Sequence, residues 1–335
     1  MVRVSAFKAA ELDIQQAQFI MKMKFIFNKE SLYMRFTVLI VLSLLLAACA
    51  PQAAVPVGDG LPVVATNPIL ADVVSSVGGE HIRVTTLIPA GMDPHAFEAT
   101  PQDVAKLDVA ALVFINGLHL EESLEPLLHE VEEAGKLVNA SEGIVPLSFE
   151  EDHAHDDEHY GEDPHVWWNP ANINVWVDNI VVALSAADPT NAASYQANAD
   201  AYKAELAELD AWIVEQVAKL PVANRKLVVD HQSLNYFAER YGFESVGALV
   251  ASFSTLSEAS AGELAELEHA MEDLEVRAIF VGNSTNPSLA ERVSTDTGLQ
   301  VVPLYIETLS PPQGPAGSYL ELMRYNVSAI IIALN

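Results

Sequence analysis

Cysteine is nearly absent from this chain of 335 residues, which contains a single one, Cys49. One thiol excludes an internal disulfide and every zinc site built from several thiolates, and it makes a copper(I) site less attractive. The folded part of the chain must therefore be stabilised by its hydrophobic cores and by any metal that it binds.

Basic residues are also scarce. The chain has 17 Lys and Arg against 46 Asp and Glu, and its formal net charge is -29. Proteins that bind nucleic acid need a basic surface, so this composition argues against a nucleic-acid partner. Half of the residues are hydrophobic, and the length suits two domains of ordinary size.

Only one long apolar run is present, at residues 36–48, directly after Arg35. The run is too short to cross a membrane comfortably and is typical of the apolar part of a signal peptide. Its Leu-Ala-Ala-Cys ending resembles a bacterial lipobox, in which Cys49 is lipidated and becomes the mature N-terminus. The alternative is a chance cysteine after an ordinary signal peptide.

We therefore expect residues 1–48 to be a signal peptide with a lipobox, whose start is either Met1 or Met34. Residues 49–60 are rich in Pro, Ala and Gly and are expected to form a flexible tether. The mature protein would then be extracytoplasmic, held at the cell membrane only by the lipid on Cys49.

Strand and helix patterns alternate along the rest of the chain. Strands are predicted at residues 61–66, 83–88, 110–115, 136–139, 226–229, 244–250, 276–281 and 300–303. This alternation predicts an α/β fold with mostly parallel sheets flanked by helices. Apolar residues at helical spacing over residues 191–220 predict one long helix, a rigid connector between two lobes. We expect an N-terminal lobe at 61–188, a linker helix at 189–221 and a C-terminal lobe at 222–335.

Two Asp-Pro-His triplets occur far apart, ending at His95 and His165. Proline fixes its own φ angle and restricts the residue before it, so each histidine follows a stiff, extended dipeptide. Neutral imidazole is the commonest metal ligand, and two such histidines favour one site assembled from two segments. The alternative is a pair of ordinary turns with surface histidines.

Two further residues complete a candidate metal site. His231 ends one predicted strand, and Glu307 follows another. In open α/β sheets ligands bind beyond the carboxyl ends of strands, so two facing lobes would bring His95, His165, His231 and Glu307 together in the cleft between them. Three imidazoles and one carboxylate suit Zn²⁺, whereas Ca²⁺ and Mg²⁺ do not need histidines. Mn²⁺ would accept this set, although it usually takes more carboxylate.

Several motifs, in order along the mature chain, resemble the zinc/manganese solute-binding lipoproteins of ABC transporters, the cluster 9 family that includes TroA-like and ZnuA-like proteins. The motifs are Gly91-Met92-Asp93-Pro94-His95, Asn116-Gly117-Leu118-His119-Leu120-Glu121, Asp163-Pro164-His165-Val166-Trp167, His231 with Tyr236-Phe237, and Gly317-Ser318-Tyr319. The resemblance implies two α/β lobes joined by a rigid helix, with the metal between them. It also implies a monomer that hands its ion to a membrane permease powered by an ATPase.

The resemblance also assigns the ligands. His95 and His165 match the two ligands of the first lobe, and His231 matches a position that is histidine in zinc-type members and often glutamate in manganese-type members. Glu307 departs from the pattern, because many members have aspartate there and some zinc-type members use water. The resemblance therefore implies Zn²⁺ as the metal, with Mn²⁺ or iron as alternatives, and Glu307 or water as the fourth ligand.

Other polar residues near these motifs have candidate roles. The short run with His153, His155 and His159 resembles the longer histidine-rich loops of zinc-type members and is an auxiliary zinc-capture candidate; the alternative is an inert acidic loop. Asp163 is a candidate for orienting the imidazole of His165. His119 is expected to support the first lobe rather than bind metal.

Two other functions compete with metal capture. Three-histidine zinc sites with an open position can activate water, but the chain has no His-Glu-x-x-His helix and no separate general base, so we expect no enzyme. A surface adhesin would fit a lipoprotein, but it would leave the converging histidines unexplained.

Overall fold

Two sheets of parallel strands organise the folded part of the chain in a computed structural model. The structure describes residues 18–19, 21–23, 60–148, 161–311 and 313–335. The predicted lipidation site Cys49 and the histidine-rich run with His153, His155 and His159 lie outside the described residues.

The first sheet has four strands in the order β2-β1-β3-β4, and all neighbours are parallel. Its strands are β1 (Leu61–Ala65), β2 (Ile82–Thr86), β3 (Leu112–Ile115) and β4 (Leu137–Asn139). The second sheet repeats this topology with the order β6-β5-β7-β8, again all parallel. Its strands are β5 (Lys226–His231), β6 (Glu244–Val250), β7 (Ala278–Gly282) and β8 (Gln300–Leu304).

Helices flank both sheets. They are α1 (Pro68–Gly78), α2 (Pro101–Val109), α3 (Glu125–Glu133), α4 (Pro170–Ala187), α5 (Ala192–Ala218), α6 (Asn235–Tyr241), α7 (Ala261–Asp273), α8 (Ser288–Thr297) and α9 (Tyr319–Leu334). Single 3-10 turns lie at Gly79–His81, Glu122–Leu124, Val166–Trp168 and Val222–Asn224. We call β1–β4 with α1–α4 the first lobe and β5–β8 with α6–α9 the second lobe. The predicted two-lobed α/β fold is confirmed.

Capping residues define where several helices begin. The Asn67 side chain accepts a hydrogen bond from the N–H of Leu70, and Pro68 occupies the first position of α1. Thr100 forms a reciprocal capping box with Asp103 at the start of α2. The sequence predicts both helix starts, because Asn67 and Thr100 are each followed directly by a proline, which is a local signal.

The long helix α5 lies between the two lobes. Its 27 residues span about 40 Å. It packs against α1 and α4 of the first lobe and against α9 of the second. Its buried side chains recur every three or four residues, as the sequence predicts: Tyr195, Ala199, Tyr202, Leu206, Leu209, Ile213 and Val217.

One hydrophobic core extends through both lobes. It includes Val63 of β1, Trp176 of α4, Leu206 of α5, Phe280 of β7 and Ile330 of α9. Two smaller clusters cover the other face of each sheet. No helix in the described part of the chain combines the length and apolar character needed to cross a membrane.

The sequence predicts a helix over residues 121–134, but α3 begins later. Residues Gly117, Leu118 and His119 are left-handed, with φ of 83°, 53° and 60°, and α3 starts only at Glu125. The cause is Glu121, whose buried carboxylate accepts hydrogen bonds from the N–H groups of Asn116 and Gly117. These bonds hold a tight turn that leaves Glu122 on its own 3-10 turn, pointing toward the second lobe.

Candidate metal site

The structure brings the four predicted ligands together. His231 is the last residue of β5 and Glu307 follows β8 closely, whereas His95 and His165 lie on the longer connections that follow β2 and β4. One ligand atom of each lies within 4.8 Å of the others. All four side chains are buried, with at most 1% of each residue exposed.

The three imidazoles converge on one carboxylate oxygen. Glu307 Oε1 lies 3.1 Å from His95 Nε2, 3.5 Å from His165 Nε2 and 3.0 Å from His231 Nε2. The Nε2 atoms of His165 and His231 are 3.2 Å apart. The same nitrogen of each ring therefore points toward a common centre.

The other ring nitrogen, Nδ1, faces a carboxylate in each of the three histidines. The pairs are His165 with Asp163 Oδ1 at 2.7 Å, His231 with Asp230 Oδ1 at 3.0 Å, and His95 with Glu122 Oε1 at 3.6 Å. A carboxylate at Nδ1 favours the tautomer with its proton there and leaves the Nε2 lone pair for a metal ion.

The two close carboxylates are themselves held by hydrogen bonds. Asp163 Oδ2 accepts from Asn235 Nδ2 at 3.0 Å. Asp230 Oδ2 accepts from the N–H of Gly282 and from Thr285 Oγ1. Burial alone would raise the pKa of Asp230, but the charge of His231 and these hydrogen bonds hold it below its ordinary value.

Glu307 and His231 are a buried pair whose charges act directly on each other, with Nε2 and Oε1 3.0 Å apart. Burial alone would raise the pKa of Glu307, but the neighbouring imidazoles, above all the charge of His231, hold it well below its ordinary value. Burial alone would lower the pKa of His231, yet Asp230 and Glu307 raise it well above its ordinary value. These two carboxylates therefore favour the protonated form of the His231 imidazole.

Three buried polar atoms at this centre have no hydrogen-bond partner among the described residues: His95 Nδ1, His95 Nε2 and Glu307 Oε1. Unpartnered buried polar atoms are costly in a folded protein. A divalent cation at the common centre would satisfy two of them, Nε2 and Oε1, so the donor set fits a metal ion.

The remaining predicted residues have structural settings of their own. His119 is exposed, and its Nδ1 lies 2.6 Å from Glu125 Oε1, outside the four-residue cluster. Trp167 and Trp168 are buried, and Trp167 Nε1 donates to the carbonyl of Ile306, next to Glu307. Trp167 thus joins the segment that carries His165 to the segment that carries Glu307.

Sequence reasoning missed two carboxylates that face the candidate ligand imidazoles. Asp230 had a local signal, because an acidic residue directly precedes His231. Glu122 had none, because it comes from a separate turn far from His95 along the chain.

Two α/β lobes, each with a parallel sheet, surround three buried imidazoles and one buried carboxylate. This arrangement defines a two-lobed metal-binding protein. The sequence profile of the family described as "Zinc-uptake complex component A periplasmic" matches residues 63–333. The chain belongs to this family of substrate-binding proteins of metal ABC transporters, as its motifs predicted.

Individual relatives are similar over most of their length. The manganese-binding lipoprotein MntA of Halalkalibacterium halodurans is 31% identical over 301 residues, 89% of this chain and 97% of the relative. The manganese ABC transporter substrate-binding lipoprotein PsaA of Streptococcus pneumoniae is 31% identical over 301 residues, 88% of this chain and 96% of the relative.

Solved structures show the same fold. The periplasmic zinc binding protein TroA from Treponema pallidum has a TM-score of 0.76 and 29% identity, with 82% of this chain and 99% of that chain covered. A Mn-bound periplasmic metal binding protein from Candidatus Liberibacter asiaticus has a TM-score of 0.71 and 28% identity, with the same coverage. The chain is therefore an extracytoplasmic metal-binding protein of an ABC transporter and not an enzyme.

Proposed function

We propose that this protein captures one Zn²⁺ ion through the Nε2 atoms of His95, His165 and His231 and a carboxylate oxygen of Glu307. The observation that carries the proposal is the convergence of three Nε2 atoms on Glu307 Oε1 at 3.0–3.5 Å. Ligands about 2.0–2.1 Å from a tetrahedral zinc ion lie about 3.3 Å from one another, so this spacing matches the expected coordination.

The donor set favours zinc over manganese. Three imidazoles and a single carboxylate are borderline ligands that suit Zn²⁺, and sites of this kind bind Zn²⁺ more tightly than Mn²⁺ in the usual order of divalent metals. Glu307 is the only carboxylate among the four clustered residues. The three other carboxylates near the site face the Nδ1 atoms of the histidine rings and not the common centre: Asp163, Asp230 and Glu122.

Manganese is the second candidate, and a specific observation favours it. Two relatives that are 31% identical over nearly the whole chain are named as manganese-binding or manganese-transport lipoproteins. Octahedral Mn²⁺ would accept the same four donors with added water. The two metals therefore predict different outcomes in a direct competition.

Delivery to a permease and attachment by lipid complete the proposal. Both relatives are named as lipoproteins, and PsaA is named as the substrate-binding lipoprotein of an ABC transporter. The Leu-Ala-Ala-Cys sequence of this chain ends at Cys49. We propose that Cys49 carries the lipid anchor and that the loaded monomer docks on the membrane permease of its transporter. Asp163 orients the imidazole of His165, and His153, His155 and His159 capture zinc weakly before it reaches the buried site.

Competitive titration tests the proposal. Protein produced from Ala50 onward is stripped with a chelator and titrated with Zn²⁺ and Mn²⁺ together, and the retained metal is measured by elemental analysis. We expect one Zn²⁺ per chain that excess Mn²⁺ does not displace. Preferential retention of manganese would show that the site is selective for Mn²⁺ and not for Zn²⁺. The absence of stoichiometric binding of either ion would refute the site.

Matched histidine variants locate the binding. His165→Ala removes a proposed ligand and should weaken metal affinity by several orders of magnitude, whereas His155→Ala, in the histidine-rich run, should change it little. Equal losses in the two variants would place the tight site in that run rather than between the lobes.

A further inference from the structure

The connection between β6 and α7, residues 251–260, brings two hydroxyl groups of the second lobe to carboxylates of the first. Ser254 Oγ donates a hydrogen bond to Glu122 Oε1, and Thr255 Oγ1 donates to Asp93 Oδ2 at 2.6 Å. We call Ser254 and Thr255 the hydroxyl pair. Both of its contacts cross from one lobe to the other.

Both carboxylates also contact His95. Asp93 Oδ1 accepts the backbone N–H of His95 at 2.9 Å, so Asp93 holds the main chain of this residue. Glu122 Oε1 lies 3.6 Å from His95 Nδ1, so Glu122 faces the ring. Each carboxylate therefore stands between His95 and one member of the hydroxyl pair.

His231 is positioned differently. Its partner Asp230 is held by Gly282 and Thr285, which belong to the same lobe as His231 itself. The carboxylate that faces the His231 ring is thus held by hydrogen bonds within its own lobe. The orientation of His95 depends on carboxylates whose other hydrogen bonds come from the opposite lobe.

We propose that the hydroxyl pair is a latch that sets how fast the metal leaves the site, acting through the positioning residues Asp93 and Glu122 on His95. This inference rests on the proposed function, because it concerns release of the ion that His95 binds. When the hydroxyl pair is in contact, both carboxylates are fixed and His95 Nε2 is held toward Glu307. When the contact breaks, the two carboxylates no longer hold His95. The imidazole of His95 can then leave the ion.

A third hydroxyl lies nearby but is a poor probe of the latch. Thr308 Oγ1 accepts the backbone N–H of Gly91 at 2.9 Å. Thr308 is adjacent to the ligand Glu307, so its substitution would disturb the metal directly. Ser254 and Thr255 are not adjacent to any of the four ligands in sequence, which makes them suitable for substitution.

Metal release tests the latch. The full chain loaded with Zn²⁺ is mixed with an excess of a strong chelator, and the release rate is followed in a stopped-flow instrument. Ser254→Ala and Thr255→Val each remove one hydroxyl and should speed release about three- to tenfold, the effect of one net hydrogen bond. Ser257→Ala is the matched control, because Ser257 Oγ bonds Ser252 Oγ within the same connection. It should release zinc at the parent rate.

Conservative replacements separate the latch from general damage to the loop. Ser254→Thr and Thr255→Ser keep the hydroxyl and should restore slow release. In a double-mutant cycle, Ser254→Ala should add little to Glu122→Ala, because both changes break the same chain of contacts to His95. Full additivity, or no rescue by the conservative variants, would overturn the latch.

A second measurement needs no metal. Amide hydrogen exchange of the segment 91–98 in the metal-free full chain reports the hydrogen bond between the His95 N–H and Asp93. Thr255→Val should speed exchange there severalfold and Ser257→Ala should not. Unchanged exchange in Thr255→Val would overturn the role of Asp93.

The two proposals fail in different ways. If the parent chain retains no stoichiometric metal, the proposed function is wrong and the latch falls with it. If the parent retains one ion, but Ser254→Ala and Thr255→Val release it at the parent rate, only the latch is wrong.

Discussion

The two Asp-Pro-His triplets have the same sequence and the same hydrogen bond between aspartate and histidine, yet they support their histidines in different ways. In each, the aspartate Oδ1 accepts the backbone N–H of the histidine two residues later, at 2.9 Å. In the second triplet this Oδ1 also contacts the ring, since Asp163 lies 2.7 Å from His165 Nδ1. In the first triplet the ring faces Glu122 instead.

The surroundings of the triplets explain this difference. Asp163 is fully buried, its carbonyl accepts from the hydroxyl of Tyr236, and the carbonyl of Pro164 accepts from Asn116 Nδ2. Asp93 is only partly buried, and the Met92 beside it is 48% exposed. A shared motif thus fixes the local turn, whereas the packing around it decides which carboxylate reaches the ring.

Substituting the two aspartates should give the largest difference between the triplets. Asp163→Ala removes the partner of the ring and of the backbone together, so we expect about a 100-fold loss of metal affinity and about 3 kcal/mol of stability. Asp93→Ala removes the backbone partner of His95 and the contact to Thr255, but no partner of the ring. We therefore expect about a tenfold loss of metal affinity and a loss of about 1 kcal/mol of stability. Metal competition and urea unfolding of the metal-free protein measure both, and equal losses would contradict the distinction.

The pH dependence of metal affinity should reflect the carboxylates near His95. Burial alone would lower the pKa of His95, but the neighbouring carboxylates of Glu122 and Glu307 raise it from 6.5 to about 9. A proton must leave before Nε2 can bind metal, so metal affinity should keep rising with pH up to about 9, by up to about tenfold per unit.

The stability of the metal-free protein should change in the opposite direction. Because the folded pKa of His95 lies above its unfolded value, the stabilisation is complete below about 6.5 and is lost as the pH rises through about 9. Thermal melts of metal-free protein at pH 7 and at pH 9.5 should therefore show lower stability at the higher pH. Glu122→Gln should reduce this decline. An affinity that stops rising near pH 7 would contradict the raised pKa.

The smallest effect is expected at Tyr236, which contacts the main chain of the second triplet. Tyr236→Phe removes the hydroxyl that donates to the carbonyl of Asp163 and accepts from the N–H of Leu147. We expect a loss of about 1 kcal/mol in urea unfolding and only a few-fold loss of metal affinity. Tyr325→Phe, at a tyrosine that is 36% exposed, is the control and should change neither. A large loss of affinity would show that Asp163 depends on Tyr236 for its position.

The fold could be predicted from the sequence because its signals are local. Strand and helix patterns alternate, cap residues such as Asn67 and Thr100 stand before their helices, and the apolar spacing of α5 matches a helix with one buried stripe. The candidate site followed from the same layout, because parallel sheets carry polar residues at the carboxyl ends of their strands.

Contacts between distant segments could not be predicted in this way. Glu122 looks like part of the first turn of a helix, and only the buried bonds of Glu121 place it on a separate turn that faces His95. Leu118 and His119 adopt left-handed backbone angles, which are unusual for residues other than glycine. The local sequence therefore contains no signal that predicts these angles. Likewise Ser254 and Thr255 resemble any polar loop until the lobes are assembled.

The shared hydrophobic core has a thermodynamic consequence. Side chains from β1, α5, β7 and α9 belong to one continuous cluster. One face of each sheet is therefore covered by a core that both lobes build together. Either half, expressed alone, would expose apolar surface that its partner now covers, and burial of that surface is the main driving force for folding. We therefore expect the two lobes to unfold as a single cooperative unit, so the native state should not divide at the cleft between them.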